Sequence, residues 1–188
     1  MYPTDHPRLE HLRALLLERS VSRGSFVLAS GRRSSFYVDA RRTTMTAEGL
    51  ELIGELGLDR LAHRGWTPRA TGGLTLGADP VAYAIALAAR RRRLAVDAFT
   101  VRKQSKAHGT GQRIEGCFEP GMAVVVVEDV ITTGASAQEA IVTVESAGGR
   151  VLGVLAVVDR EEGGRDTLER LGFTVEALVT AGDLGLSP

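Results

Sequence analysis

Cysteine is almost missing from this sequence. Among 188 residues only Cys117 carries a thiol, which excludes a disulfide framework and a cysteine-rich metal centre together and fits a reducing cytosol. Cys117 is expected to be a free structural thiol. Net charge is missing too: 23 basic and 23 acidic residues cancel, so no general field draws the chain to nucleic acid or to an anionic membrane. Any affinity for anions has to come from local clusters. Long hydrophobic runs are also absent. The most apolar stretches, 124–127 and 151–158, fall far short of the roughly twenty residues that span a bilayer. The first twenty residues mix Pro3, Asp5, Pro7, Arg8, Glu10, Arg13 and Glu18 with leucines, leaving no apolar core of signal-peptide length. Neither membrane insertion nor secretion is expected. What the chain does have is a 44% hydrophobic content, enough at this length for one well-buried core and a single domain.

Leu9, Leu12, Leu15 and Leu16 recur at helical spacing between Pro7 and a break at residues 20–24, which predicts a short amphipathic helix at the periphery, acting as a lid element. Residues 26–28 and 36–39 form two short extended pieces joined by a polar turn rich in donors. From there the pattern is regular. A helix over 46–63 is followed by a strand at 68–71, then Gly72 and Gly73, and an alanine-rich helix over 78–90. A strand at 94–101 leads into a polar, glycine-containing stretch at 102–116, and the strongest strand follows at 122–127. A helix over 134–147, a strand at 151–158, a helix at 165–171 and a strand at 174–179 complete the series. Apolar strands alternating with helices predict an α/β fold with a mainly parallel sheet covered on both faces. In such sheets ligands collect beyond the carboxyl ends of the strands, so the loops after Thr71, Val101, Val127 and Val158 are the candidate site.

The run Val124-Val125-Val126-Val127-Glu128-Asp129-Val130-Ile131-Thr132-Thr133-Gly134-Ala135-Ser136 ends a buried strand with two acids and opens a helix through small residues. Backbone N–H groups and the positive end of a helix suit a phosphate dianion, Thr132, Thr133 and Ser136 add hydroxyl donors, and Gly134 permits close approach or an unusual backbone angle. Glu128 and Asp129 would repel that phosphate directly, so they are better explained as acceptors for sugar hydroxyls beside it. A phosphate and a diol together imply a ribose 5-phosphate. The plainer alternative, in which these side chains merely cap a helix, explains one of them. Neither GxxxxGK[ST] nor GxGxxG occurs here. A second turn, Ala70-Thr71-Gly72-Gly73-Leu74-Thr75-Leu76-Gly77, again joins strand to helix, and pyrophosphate could rest on its exposed backbone donors.

The thirteen-residue run resembles the phosphoribosyl pyrophosphate (PRPP) motif of the type I phosphoribosyltransferases. Arg102, Lys103, Lys106 and His108 in RKQSKAHG, followed by Ile114-Glu115-Gly116, resemble the catalytic loop of the orotate phosphoribosyltransferases. The segment from Phe26 to Asp39 is similar to that family's amino-terminal hood, and Val157-Val158-Asp159-Arg160 to the strand end whose arginine holds orotate.

The resemblance implies a type I phosphoribosyltransferase fold, with a hood over about 1–45 and a core over about 46–180. It implies transfer of ribose 5-phosphate from PRPP to orotate, giving orotidine 5′-monophosphate and pyrophosphate in pyrimidine biosynthesis, by a cytoplasmic enzyme that binds neither nucleic acid nor membrane. It further implies Mg²⁺ held through PRPP rather than by dedicated protein ligands, and a homodimer with shared active sites in which Arg102, Lys106 and His108 act in trans and Lys103 in cis. PRPP would be bound by residues 128–136, that is Glu128, Asp129, Val130, Ile131, Thr132, Thr133, Gly134, Ala135 and Ser136, and by Thr71, Gly72 and Gly73. Orotate would be bound by Arg160, Thr132, Tyr37 and Val38. The chain departs from the family where many members carry a lysine, at Ala29, and a tyrosine-lysine pair, aligned here with Thr71 and Gly72. Two rivals are weighed against this reading: a phosphoribosyltransferase for a purine or uracil, which would use a different hood, and a PRPP-sensing regulator that binds nucleic acid, which would show a basic face.

Overall fold

The computed structural model describes residues 6–27, 33–104 and 112–186. Its elements in chain order are α1 (Pro7–Arg19), β1 (Val21–Val27), β2 (Arg33–Val38), α2 (Arg41–Thr44), α3 (Ala47–His63), β3 (Ala70–Leu74), α4 (Ala78–Arg91), β4 (Asp97–Val101), β5 (Ile114–Gly116), β6 (Ala123–Ile131), α5 (Ala135–Ser146), β7 (Arg150–Asp159), α6 (Gly164–Arg170) and β8 (Val175–Thr180), with a 3₁₀ turn at Gly182–Leu184. Six strands form one sheet in the order β5-β4-β3-β6-β7-β8. Every pairing is parallel except that of the short edge strand β5 with β4. β5 falls inside the stretch expected to be all loop. Its three residues pair with residues 99–101 and so anchor the far end of that stretch to the strand from which it departs.

The valines of β6 explain the two-faced core. Successive side chains on a strand point to opposite faces. Val125 and Val127 accordingly join α1, α3 and α4 in one apolar cluster, while Val124 and Val126 join α5 and α6 in the other. All four are fully buried, which is why the strand reads as a continuous apolar run rather than an alternating one. α3 begins where Thr46 accepts the Gly49 N–H at 3.0 Å, a side-chain N-cap.

Three expectations change. α1 is not a peripheral lid: Leu9, Leu12, Leu15 and Leu16 are all buried within the larger cluster, and the helix packs on α3 and β8. The break expected after α1 is strand β1, which pairs antiparallel with β2. The third concerns Thr71, Gly72 and Gly73, which lie inside β3 and are buried there rather than exposed in a turn. A Cβ on Gly72 would collide with the Phe99 carbonyl oxygen and ring, and one on Gly73 with the Val127 carbonyl oxygen. These glycines let β3 lie close between its neighbours, and the turn that follows is Thr75-Leu76-Gly77.

Overpacking of this kind costs about 1–3 kcal/mol. Gly72→Ala is therefore expected to lower the melting temperature by several degrees, at roughly 2–4 °C per kcal/mol for a chain of this size. An unchanged thermal melt would show that the strand has room for the methyl group.

Candidate active site

The carboxyl ends of β3, β4, β6 and β7 meet at one edge of the sheet. The turn 75–77 and Arg102 with Lys103 follow the first two of those ends, and residues 128–136 and 159–162 span the other two. β6 runs through Ile131 rather than stopping at Val127, so Glu128 and Asp129 belong to the strand and not to the turn. Its β-branched Val130 and Ile131 were the signal for that extension.

Beyond β6, Gly134 takes φ +83° and starts α5 with no side chain capping it. Only a residue without a Cβ adopts that angle freely. The first-turn N–H groups of a twelve-residue helix are thus left for an outside acceptor, where the helix dipole favours an anion. The capping alternative fails here: Glu128 and Asp129 lie back in the strand, and the nearest hydroxyl, Thr133 Oγ1, is at a marginal 3.5 Å from the Ala135 nitrogen. Glu128 and residues 130–137 enclose a cavity of about 80 Å³, the size of a small anion. The two largest hollows described, about 520 Å³ beside Arg113 and Val142 and about 420 Å³ between α3 and α4, lie away from these strand ends, and a third of about 230 Å³ lies beyond Asp159, lined by Glu161, Arg165 and Asp166.

Glu128 is buried, and its Oε1 has no hydrogen-bond partner among the described residues. Desolvation, followed by the adjacent charge of Asp129, pushes its carboxyl well above the ordinary value of 4.5, with Lys103 pulling the other way. Asp129 is raised less, chiefly by burial. It accepts the Val130 N–H at 2.8 Å and feels the opposing field of Arg41. On its other side the Asp129 carboxylate lies against Gly77, where a Cβ would strike it. The turn 75–77 is braced from behind by Asp79 in the first turn of α4, which accepts from Thr75 Oγ1 at 2.7 Å and from Thr100 Oγ1 at 2.9 Å.

Arg160 follows β7 and is 3% exposed. Its guanidinium pairs with Glu162 at 2.7 Å, donates to Ser34 Oγ at 3.2 Å and stacks 4.8 Å from the centroid of Phe36, so it ties β2 to the sheet edge. Its Nε has no partner among the described residues. The Glu162 side chain is buried with it, so the pair is not a surface ion pair.

The structure brings Glu128, Asp129, residues 130–136, Arg160 and Lys103 to one edge. It does not bring the side chain of Thr71, which is fully buried with its hydroxyl unpartnered among the described residues, nor that of Val38, which packs into the core. Tyr37 is half exposed beside Phe26. Arg102 is exposed, 3.6 Å from Glu115. Lys106, His108 and Ala29 lie outside the described residues. Sequence reasoning included residues 75–77 in its turn 70–77 but gave the contacts to Thr71, Gly72 and Gly73, and it missed Asp79 and Arg41.

No family model matches the chain. Whole-chain comparison is decisive instead. The orotate phosphoribosyltransferase of Mycobacterium avium is 44% identical over 180 residues, covering 96% of this chain and 98% of that one, and that of Rhodopirellula baltica is 41% identical over 184 residues, covering 96% and 95%. This chain belongs to the orotate phosphoribosyltransferase family. A crystal structure of the Mycobacterium tuberculosis orotate phosphoribosyltransferase in complex with PRPP superposes with a TM-score of 0.80 at 40% identity, covering 96% of this chain and all of that one. The fold is therefore that of the family, a central mainly parallel sheet flanked by helices with a small antiparallel pair beside it.

Among the described residues no three His, Cys, Asp or Glu side chains are grouped to hold a metal ion. A buried acid and its half-buried neighbour, with one oxygen unpartnered among the described residues, fit the other arrangement, in which a hard cation is held mainly by substrate oxygens and water.

Because Glu128 is easier to protonate when folded, its neutral form favours the fold below about pH 4.5, and that contribution is lost as pH rises through its raised folded value. Glu128→Gln, neutral throughout, is expected to melt higher than the wild type at pH 8 in the absence of ligand. The gap should shrink as the pH falls toward 4.5, and thermal melts across that range check it. A gap that widens on acidification would reverse the assigned shift.

Proposed function

We propose that this orotate phosphoribosyltransferase joins orotate to the ribose 5-phosphate of PRPP, releasing pyrophosphate, at the strand-end site described above. The observation that carries the residue assignment is the uncapped amino terminus of α5 beside the buried Glu128 and half-buried Asp129, which pairs a phosphate receptor with acceptors for sugar hydroxyls. The 5′-phosphate would sit on the backbone of residues 132–136 with Thr132, Thr133 and Ser136 donating. The ribose diol would donate to Glu128 and Asp129, filling the unmet Glu128 oxygen.

Orotate nitrogen attacks the anomeric carbon as the bond from that carbon to the pyrophosphate oxygen breaks. Orotate's ring nitrogen is acidic enough to arrive as an anion, so no general base is required. Positive charge builds on the ribose and negative charge on the departing pyrophosphate, so catalysis is mainly positioning and charge stabilisation. The raised Glu128 carboxyl becomes ionised most readily when a diol and a cationic ribose face it. Arg160, whose Nε has no partner among the described residues, would contact orotate's carboxylate and ring carbonyl, with Thr132 and the backbone near Tyr37 and Val38 completing the base site. Mg²⁺ would supply charge neutralisation on the pyrophosphate oxygens. Pyrophosphate would rest on the turn 75–77, which in this chain takes the place first given to Thr71, Gly72 and Gly73.

Lys103 is the described cation of the catalytic loop whose field reaches Glu128. Lys106 and His108, with Arg102, would enter from a second subunit of a homodimer and shield the leaving group. The cytoplasm is the proposed location, supported by the lone free cysteine; no described helix is long and apolar enough to cross a membrane.

The direct test is loss of orotate absorbance with PRPP and Mg²⁺, beside parallel assays with uracil, adenine, guanine and hypoxanthine. Orotate-selective turnover is expected, and preference for another base would overturn the base-site assignment. Lys106→Ala should lower kcat by about 10²-fold or more if it stabilises the departing charge, the scale of losing one such group. Unaltered turnover would remove Lys106 from the reaction.

A further inference from the structure

The turn assigned to pyrophosphate carries no cation. Its residues are Thr75, Leu76 and Gly77, and the Leu76 side chain is 55% exposed. A polyanion placed there would also face the nearby carboxylate of Asp129, which lies against Gly77. Some positive charge has to offset that repulsion from the same side of the site.

Arg41 meets this need. It opens α2, immediately after β2, on a platform held by the Thr43 and Thr44 N–H groups donating to Ala40 O, both at 2.8 Å. The buried contact of Thr43 with Ser20, 2.7 Å between hydroxyl oxygens, fixes the same short helix to the end of α1. The guanidinium donates through Nε to Asp39 at 2.8 Å and is half exposed, so the carboxylate holds it without burying it. The Asp39 hydrogen bond and charge, and then the charge of Asp129, hold its pKa above the ordinary value. Arg41 in turn opposes the rise that burial imposes on the Asp129 carboxyl. The Asp129 carboxylate thus touches the turn 75–77 and lies within the field of Arg41. The other described arginines near the site are engaged elsewhere, Arg160 with Glu162 and Arg102 near Glu115.

We propose that Arg41 is a pyrophosphate-binding residue, supplying from the foot of the β1–β2 hairpin the cation that the Thr75-Leu76-Gly77 turn lacks. The inference rests on the reaction proposed above. It makes a specific statement about charge: a cation restored to the turn itself should make Arg41 dispensable.

The test is steady-state kinetics in both directions for the wild type, Arg41→Gln, Leu76→Lys and the double variant. Gln keeps a donor for Asp39 while removing the charge, and melts of the exposed-site variants control for folding. Arg41→Gln is expected to raise KM for PRPP and for pyrophosphate about tenfold, leaving KM for orotate within about twofold, the pattern of a lost ground-state contact to one substrate. Leu76→Lys is expected to lower KM for PRPP and pyrophosphate far more in the Arg41→Gln background, recovering most of that loss, than in the wild type, a coupling that independent sites do not show. Unchanged KM for PRPP and pyrophosphate in Arg41→Gln would overturn the assignment. So would an equal effect of Leu76→Lys in both backgrounds, or a rise in KM for orotate alone. Failure of the underlying reaction is distinguishable, because the wild type itself would then be inactive with orotate.

Discussion

Two carboxylates at the end of a strand that is buried on both faces are the constraint around which this molecule is arranged. β6 lies between β3 and β7, and its valines are shared between two apolar clusters, so wherever the strand goes its side chains leave water. Because it runs on through Ile131, Glu128 is taken into that environment with an oxygen unmet among the described residues. An unpaired buried charge is costly, and the shift of Glu128 toward its neutral form is the response. In the proposed reaction the same cost becomes useful: a ribose diol that donates hydrogen bonds, and then carries positive charge, relieves it.

The rest of the site follows from how closely other elements approach that strand end. Gly72 and Gly73 allow β3 to lie against β4 and β6 without side chains between them, which sets the turn 75–77 beside Asp129. Asp79 then fixes the turn through Thr75 and, through Thr100, joins it to the last residues of β4, from which the basic loop departs. On the opposite side α1 is packed into the larger cluster, so the antiparallel hairpin is carried by a rigid base. Arg160 links that hairpin back to β7 through Ser34 and Phe36. Charge in the site comes from separate segments, each placed by backbone rather than gathered in one motif.

Much of this was legible in the chain itself. Strand and helix order, the parallel sheet and the run from Val124 to Ser136 follow from local periodicity and turn chemistry, because an amphipathic helix and a doubly buried strand each leave their pattern in adjacent residues. The single unpaired cysteine, the balanced charge and the resemblance of the motifs narrowed the chemistry before any fold was seen. Sequence pattern also placed Glu128, Asp129, Gly134 and Arg160 at strand ends.

What only the tertiary structure decided is which of these residues face one another and which face the core. Thr71, Gly72 and Gly73 look like an exposed glycine turn until β4 and β6 are set on either side of them. Leu9, Leu12, Leu15 and Leu16 look like a loose amphipathic lid until α3 and β8 cover them. β5 is too short to announce itself without its partner, and Arg41 has no local pattern to distinguish it from Arg42. Periodicity records how a segment repeats along its own axis; burial, pKa and the pairing of charges depend on residues tens of positions away, and those distances close only when the sheet is assembled.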